Sequence, residues 1–128
     1  VLESCLYAAD LAAAEEFYSH VLGLEVHSRV PGRHLFFRCG PGMFLIFDPI
    51  RTQQVAGDLP AHGAYGPGHV AFAVAQTDVG LWKQRLQQQG ILLEAEVSWP
   101  SGGHSLYVRD PAGNSVELAT PQTWDLDP

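Results

Sequence analysis

The sequence contains an internal repeat. A strand-like run begins at Glu3, and a matching run begins at His69. Each run is followed by a helix-like segment and then by three short apolar strands. An internal repeat of this kind predicts two copies of one β-α-β-β-β unit before any chemistry is considered.

Capping residues and glycines indicate where the helices and strands are expected to begin and end. Asp10 stands at the N-cap of the first helix and Gly23 at its end, and Gly90 ends the second helix. We predict a single α+β domain over 1–128, made of a module 1–48, a linker 49–68 and a module 69–120. The predicted strands are 2–9, 24–30, 33–39, 43–48, 69–75, 91–98, 104–109 and 114–119, with helices over 11–22 and from 77 or 78 to 89.

The composition and net charge limit which kinds of molecule the chain is expected to bind. The 128 residues carry 14 acidic and 7 basic side chains, a net charge of −7, which disfavours nucleic acid. No apolar run reaches the roughly 18 residues of a membrane span, so no membrane partner is expected. The two cysteines and the absence of a basic and apolar leader indicate a cytoplasmic protein with free thiols. A neutral or cationic small molecule is the expected ligand.

Alternation along the first strand of each copy defines two faces. Glu3, Cys5 and Tyr7 share one face, and His69 lies on the matching face of the second copy. The opposite face is apolar and suits packing under the helix. Because each sheet has one face covered by a helix, the two bare faces are expected to line a concave cavity.

The last strands can be aligned through their turns. RCGPGMFLIF and RDPAGNSVEL match without a gap, which places Ile46 on Glu117. Glu3, His69 and Glu117 are then three inward metal-capable side chains, while Ile46 leaves coordination positions open. One imidazole and two carboxylates suit one divalent ion, such as Fe²⁺, Mn²⁺, Zn²⁺, Ni²⁺ or Mg²⁺. The competing interpretations are a histidine bonded to a backbone carbonyl and a solvated Glu3 at the sheet edge.

Three more side chains are candidates for catalysis or substrate binding. Tyr107 alternates with core residues on its strand and would point into the cavity, although tyrosine is also common in strands generally. His62 and His104 lie in or beside the glycine-rich segments PAHGAYGPG and WPSGGHS, which could cover the cavity mouth. Each histidine is a candidate acid or base, with simple solvation as the alternative. Asp110 is expected to stabilise a turn.

Three segments carry a family resemblance, DLAAAEEFYSHVLGLEV, GPGHVAFAV and SLYVRDPAGNSVELATP. Through them nearly the whole chain resembles the vicinal oxygen chelate superfamily, which includes glyoxalase I, extradiol dioxygenases, methylmalonyl-CoA epimerase, and fosfomycin- and bleomycin-resistance proteins. The resemblance implies paired β-α-β-β-β modules, one divalent metal and commonly a homodimer. His69 and Glu117 match usual ligands, and Tyr107 matches a ligand-contacting tyrosine of the fosfomycin-resistance relatives. Glu3 stands where most metal-binding members have histidine, and Ile46 where glyoxalase I and the epimerase place Glu or Gln.

Two functions follow from this resemblance. The first is a metal-dependent enzyme of the glyoxalase or dioxygenase type, acting on a small substrate held through neighbouring oxygens. The alternative is a protein like the bleomycin-resistance proteins, which sequesters a cationic small molecule without chemistry. The charge of −7 favours the alternative, whereas His69 and Glu117 in phase favour the enzyme. A thiol transferase has less support, because no basic cluster for an anionic substrate group is evident.

Overall fold

The computed structural model describes residues 1–55 and 57–128. They form two compact units, the first from Val1–Gly68 with Pro111–Gly113, and the second from His69–Asp110 with Asn114–Pro128. Residues 49–68, which the sequence predicts as a linker, thus belong with the first unit. None of the helices within the described residues has both the length and the apolar character to cross a bilayer.

The first unit contains a four-stranded sheet in the order β1-β4-β3-β2. Strands β1 and β4 pair in parallel, and the other pairs are antiparallel. Its elements are β1 (Glu3–Tyr7), α1 (Leu11–Glu15, continued by the wider π-helical turns of Glu16–Val21), β2 (Glu25–Val30), β3 (His34–Cys39), β4 (Gly42–Phe47) and α2 (Pro49–Gln53).

The second unit repeats this topology in the order β5-β8-β7-β6. Its elements are β5 (His69–Ala73), a 3₁₀ turn (Gln76–Asp78), α3 (Val79–Gln88), β6 (Ala95–Ser98), β7 (His104–Arg109), β8 (Ser115–Ala119) and a 3₁₀ turn (Pro121–Trp124). The predicted α+β class and the two β-α-β-β-β modules are therefore confirmed. The strand predicted over 91–98 is shorter than expected, because the sheet begins only at Ala95.

Local signals explain where the first helix begins and what it covers. The Asp10 carboxylate accepts a hydrogen bond from the Ala13 amide at 3.0 Å, as expected of an N-cap. The helical segment ends at Gly23, whose φ of 81° suits glycine. Tyr18 is fully buried, and its ring centroid lies 5.0 Å from that of Phe44. The helix thus covers one face of the sheet, as the apolar periodicity predicts.

Strand pairing gives the correspondence between the two units. In the first sheet Glu3 lies beside Met43 on the last strand. In the second sheet His69 lies beside Ser115. Because Glu3 and His69 occupy corresponding places, Met43 corresponds to Ser115. The gapless alignment of the two sequences would instead match Met43 with Asn114, so the last strands are shifted by one position relative to it.

The predicted equivalence of Ile46 and Glu117 is therefore wrong. Glu117 corresponds to Leu45, and Ile46 lies beside Leu6 on the opposite face, fully buried in the core. The gapless alignment fails because the segment that joins the last two strands is one residue longer in the second unit. Leu45 also lacks a donor atom, so the conclusion that this position supplies no metal ligand is unchanged.

Candidate functional site

His69 and Glu117 lie side by side in the second unit. His69 begins β5, Glu117 lies in the middle of the neighbouring β8, and their register places both on one face. His69 Nε2 is 3.2 Å from Glu117 Oε2. The imidazole is about half exposed, whereas only 10% of the Glu117 side chain is exposed. A buried carboxylate requires donors or a cation, and His69 is positioned to meet that requirement.

The backbone of β8 orients the His69 ring. Nδ1 lies 3.2 Å from the Ser115 carbonyl oxygen and 3.2 Å from the Ser115 hydroxyl. The two tautomers use these contacts differently. With the proton on Nε2, the ring donates to Glu117 and Nδ1 accepts from the Ser115 hydroxyl. With the proton on Nδ1, the ring donates to the Ser115 carbonyl and the lone pair of Nε2 is left for an ion beside Glu117. Ligand histidines commonly have this arrangement, in which one ring nitrogen is bonded to the backbone and the other is left for the ion.

Tyr107 completes the cluster on the same face. It lies beside Glu117 across β7 and β8, and its ring centroid is 6.5 Å from that of His69. Burial raises the pKa of Tyr107, and hydrogen bonding to Glu117 and the charge of that carboxylate raise it further. The phenol therefore stays protonated at neutral pH and donates to Glu117.

The pair of His69 and Glu117 fits two ligands of one divalent ion. Two atoms that each lie about 2.1 Å from an ion and subtend about 90–110° at it are about 3.0–3.4 Å apart. The observed 3.2 Å falls within that range, and it also suits a hydrogen bond from Nε2–H. Within 1–55 and 57–128, no three His, Cys, Asp or Glu side chains are grouped to hold a metal. The structure thus brings together two of the three predicted ligands.

Glu3 lies in a cavity of the first unit. The cavity has a volume of about 560 Å³, and Glu3 lines it together with Leu45 and Phe47 of the neighbouring β4. Glu3 pairs with Met43 on β4. Side chains alternate along a strand, so Leu45 and Phe47 lie on the same face as Met43 and Glu3. Glu3 thus lines a cavity of its own unit, and its role as a metal ligand stays a prediction.

His62 lines the same cavity as Glu3. Its Nδ1 is 2.7 Å from the hydroxyl of Tyr7, and its ring meets the edge of Phe47 with centroids 4.8 Å apart. Burial raises the pKa of Tyr7, and Cys5 adds to this shift. Tyr7 was not predicted as a site residue, although it shares the Glu3 face of β1, which was the available signal.

The structure places His104 away from the predicted site. On β7 it alternates with Tyr107 and so lies on the opposite face of the second sheet, in phase with buried Leu106. Its Nε2 is 2.9 Å from Glu96 Oε1, and Lys83 of α3 is 2.8 Å from the same carboxylate. Hydrogen bonds from Lys83 and then His104 lower the pKa of Glu96. His104 thus belongs to a cluster on the helix-covered face, as its alternation with Tyr107 indicates.

Two arginines that line the cavity of the first unit were not predicted from the sequence. Arg33 and Arg51 both line it, although no basic cluster is evident along the chain. Arg33 immediately precedes β3, and Arg51 lies on α2, within a segment that has no hydrophobic period. Their convergence depends on tertiary packing, so no local signal could have revealed it.

Comparison with known proteins gives concordant results. The family model described as the Glyoxalase/Bleomycin resistance protein/Dioxygenase superfamily matches residues 2–118. The chain is similar to a curated metallothiol transferase, FosB of Bacillus licheniformis, at 28% identity over 88 residues. That match covers 66% of this chain and 52% of FosB, so the chain spans about half the length of this relative.

Many solved structures are similar over most of the chain, among them the following two. The crystal structure of lactoylglutathione lyase from Agrobacterium tumefaciens is 43% identical with a TM-score of 0.95, covering 98% of this chain and 96% of that one. A glyoxalase/bleomycin resistance protein/dioxygenase from Nocardioides is 25% identical with a TM-score of 0.74, covering 94% of this chain and 82% of that one.

Proposed function

Because the chain belongs to the Glyoxalase/Bleomycin resistance protein/Dioxygenase superfamily, we propose that it is a divalent-metal-dependent enzyme acting on a small molecule through two neighbouring oxygens. The observation that carries the proposal is the contact of 3.2 Å between His69 Nε2 and Glu117 Oε2. Tyr107 holds the carboxylate, and Ser115 holds the imidazole. Relatives with names such as lactoylglutathione lyase and metallothiol transferase support an enzyme of this type.

The proposed metal ligands are His69, Glu117 and Glu3. The first two are adjacent in the second unit, and Glu3 lines the cavity of the first unit. A divalent ion, when bound, would stabilise negative charge that develops on the substrate oxygens. Leu45, at the position that corresponds to Glu117, supplies no donor, which leaves room on the ion for substrate.

Two tyrosines support the proposed chemistry in different ways. Tyr107 orients Glu117 by donating a hydrogen bond to it, which fixes one carboxylate oxygen toward His69. Tyr7 contacts His62 in the cavity that contains Glu3. We propose His62 as the group that accepts or returns a proton, because its imidazole lines the cavity that contains Glu3 and Tyr7 holds its ring.

The alternative of sequestering a cationic small molecule loses support. It relied on the overall charge of −7, but the cavity of the first unit is lined by Arg33 and Arg51. Two guanidinium groups repel a cation at short range, where local charge outweighs the net charge of the chain. The same arginines remove the objection that thiol transfer lacks a basic cluster.

Metal titration of four proteins tests the proposal. Metal-free wild type should bind one Mn²⁺ or Zn²⁺ per chain and melt at a higher temperature when loaded. His69→Ala and Glu117→Gln should bind more than about 100-fold more weakly, beyond the range for outer-shell partners. His104→Ala is the matched control, since it removes an imidazole from the opposite face of the same sheet. The proposal fails if wild type binds no ion, or if His69→Ala and His104→Ala bind it equally well.

Glu3 and the proposed homodimer need a separate test. Sedimentation should show a dimer, and Glu3→Ala should weaken metal binding while leaving the His69 and Glu117 pair in place. Mixing Glu3→Ala chains with His69→Ala chains tests whether Glu3 and His69 of one metal site come from the same chain or from two chains of a dimer. Recovery of metal binding in the mixture assigns Glu3 to a partner chain, and no recovery assigns it to the same chain. Unchanged affinity in Glu3→Ala would remove it from the ligand set.

A further inference from the structure

Most basic side chains of this acidic chain are neutralised locally. Four ion pairs join a lysine or arginine to a carboxylate in the described residues, and their basic members are Arg29, Arg38, Lys83 and Arg109. Arg33 and Arg51 form no ion pair with any carboxylate that the structure describes, and both line the cavity of the first unit. Two uncompensated guanidinium groups thus converge in a chain whose 14 acidic residues could have paired with them.

Arg33 is held in place without being neutralised. Its Nη1 is 2.5 Å from His34 Nδ1, and its guanidinium lies over the ring of Phe47, 5.7 Å from the centroid. Burial lowers the pKa of His34, and the charge of Arg33 lowers it further. The neutral imidazole accepts one of the five N–H donors of a guanidinium, so the charge and the remaining donors are available to a ligand.

The carboxylate nearest to Arg51 in sequence is occupied elsewhere. Asp48 caps α2 and accepts from the amides of Ile50 and Arg51, at 2.9 and 3.3 Å. The Arg51 side chain lines the cavity and has no ion pair with Asp48. Helix capping therefore removes the one acidic neighbour that could have neutralised this guanidinium.

The rest of the cavity suits an apolar body. Phe36, Leu45 and Phe47 come from two adjacent strands and share one face. Among the described lining residues, Glu3 is the one carboxylate against two guanidinium groups. The volume of about 560 Å³ lies within the range of small-molecule sites.

We propose that the substrate carries an oxyanion, such as a carboxylate or phosphonate, which Arg33 and Arg51 bind, and an apolar part that lies against Phe36, Leu45 and Phe47. This substrate class rests on the proposed function, because Glu3 in the same cavity is one of the proposed metal ligands. The oxyanion group binds apart from the two oxygens that the metal would hold. Arg33 and Arg51 are thus specificity residues rather than catalytic ones.

Binding of matched probes to metal-free protein tests the inference. The probes are 3-phenylpropanoate, its neutral amide 3-phenylpropanamide, and 2-phenylethylphosphonate, measured by calorimetry at low salt. Wild type should bind both anions about 10-fold or more tightly than the amide, the usual size of a hydrogen bond to a charged group. Carboxylate and phosphonate arms distinguish the two sources of the oxyanion. Higher salt should reduce the preference.

Three variants make the result specific to the cavity. Arg33→Gln and Arg51→Gln should each lose most of the preference for the anions. Arg33→Lys keeps the charge but not the planar fork, and it should retain part of the preference. The control is Arg29→Gln, which removes the same charge from a side chain paired with Glu15 outside this cavity, and it should bind like wild type. Circular dichroism checks that each variant is folded.

The inference is overturned if the amide binds as well as the anions, if no probe binds, or if Arg29→Gln loses as much as Arg33→Gln. Its failure is separable from that of the proposed function. A protein that binds metal through His69 but shows no anion preference refutes only the substrate class. A metal-free protein that prefers the anions but never binds an ion refutes only the metal-dependent enzyme.

Discussion

The two units have one topology and different chemistry at the same three positions. Strand pairing in each sheet identifies these positions on the first, third and last strands of the unit. The second unit has His69, Tyr107 and Glu117 there, whereas the first has Glu3, Phe36 and Leu45. A hydrogen-bonded polar cluster in one unit is thus matched by a largely apolar wall in the other.

This difference shows what each position needs from its neighbours. Glu117 is tolerated at low exposure because Tyr107 and His69 contact it. Leu45 lies beside Phe36 and needs no polar partner. The duplicated backbone therefore specifies where a side chain points, while the set of partners decides whether a carboxylate can be placed there.

Moving a carboxylate into the first unit should have the largest effect. Ile46→Glu places a charge in the core, where Ile46 is fully buried, and should cost more than about 4 kcal/mol or prevent folding. Leu45→Glu places the charge on the cavity face, which Arg33 also lines, and should cost about 1–2 kcal/mol. Urea denaturation of both variants at pH 7.5 measures the difference.

The reverse order would contradict the correspondence of Leu45, rather than Ile46, with Glu117. Ile46→Ala and Leu45→Ala serve as controls for lost apolar volume, since both remove a large aliphatic side chain without adding charge. Subtracting these values isolates the cost of the carboxylate at each position.

Exchanging the aromatic residues at the corresponding positions should have a smaller effect. Tyr107→Phe removes the donor to Glu117 and gives the second unit the residue of the first, so the Kd for Mn²⁺ should rise about 10-fold. Phe36→Tyr makes the converse change and should leave that Kd unaltered. Calorimetric titration measures both. Equal affinities of wild type and Tyr107→Phe would show that Tyr107 has no part in holding the ligand.

The smallest expected effect is on stability, and it comes from His34, a buried histidine of the first unit. His34 contacts Arg33, Ser28 and the rings of Phe36 and Phe47. Its pKa is below the ordinary value of 6.5, first through burial and then through Arg33. The unfolded chain therefore takes up this proton first as the pH falls, so the stability that His34 contributes is complete above about pH 6.5 and declines below it.

His34→Gln should remove this pH dependence. At pH 7.5 the variant should be less stable than wild type by about 1 kcal/mol, from the lost hydrogen bond with Arg33. The difference should shrink at pH 5.5, because wild type loses the contribution and the variant never had it. Parallel urea curves at both pH values measure this change. A difference that grows at pH 5.5 would mean that His34 is charged in the folded protein.

Much of the fold could be predicted because its signals are local. The repeat, the Asp10 cap and the glycines at helix ends all act within a few residues of where they stand. The side of the sheet that Tyr107 faces also follows from alternation. His104 could have been placed correctly by the same rule, since it alternates with Tyr107 along β7.

The remainder depends on information that is not local. The correspondence between the last strands shifts with one extra residue in a turn, and the sequence carries no mark of where that residue enters. Arg33 and Arg51 are separated in the chain by the whole of β3 and β4 and converge only in the folded first unit. Whether an arginine pairs with a carboxylate is likewise decided by packing rather than by composition.

The central claim is that the second unit supplies the one imidazole of the metal site. Electron spin-echo envelope modulation of Mn²⁺-loaded protein detects nitrogen bound to the ion. The account predicts coupling to a single imidazole, which is lost in His69→Ala and kept in His62→Ala, whose side chain lies in the cavity of the first unit. A bound ion without nitrogen coupling, or coupling that survives in His69→Ala, would contradict it.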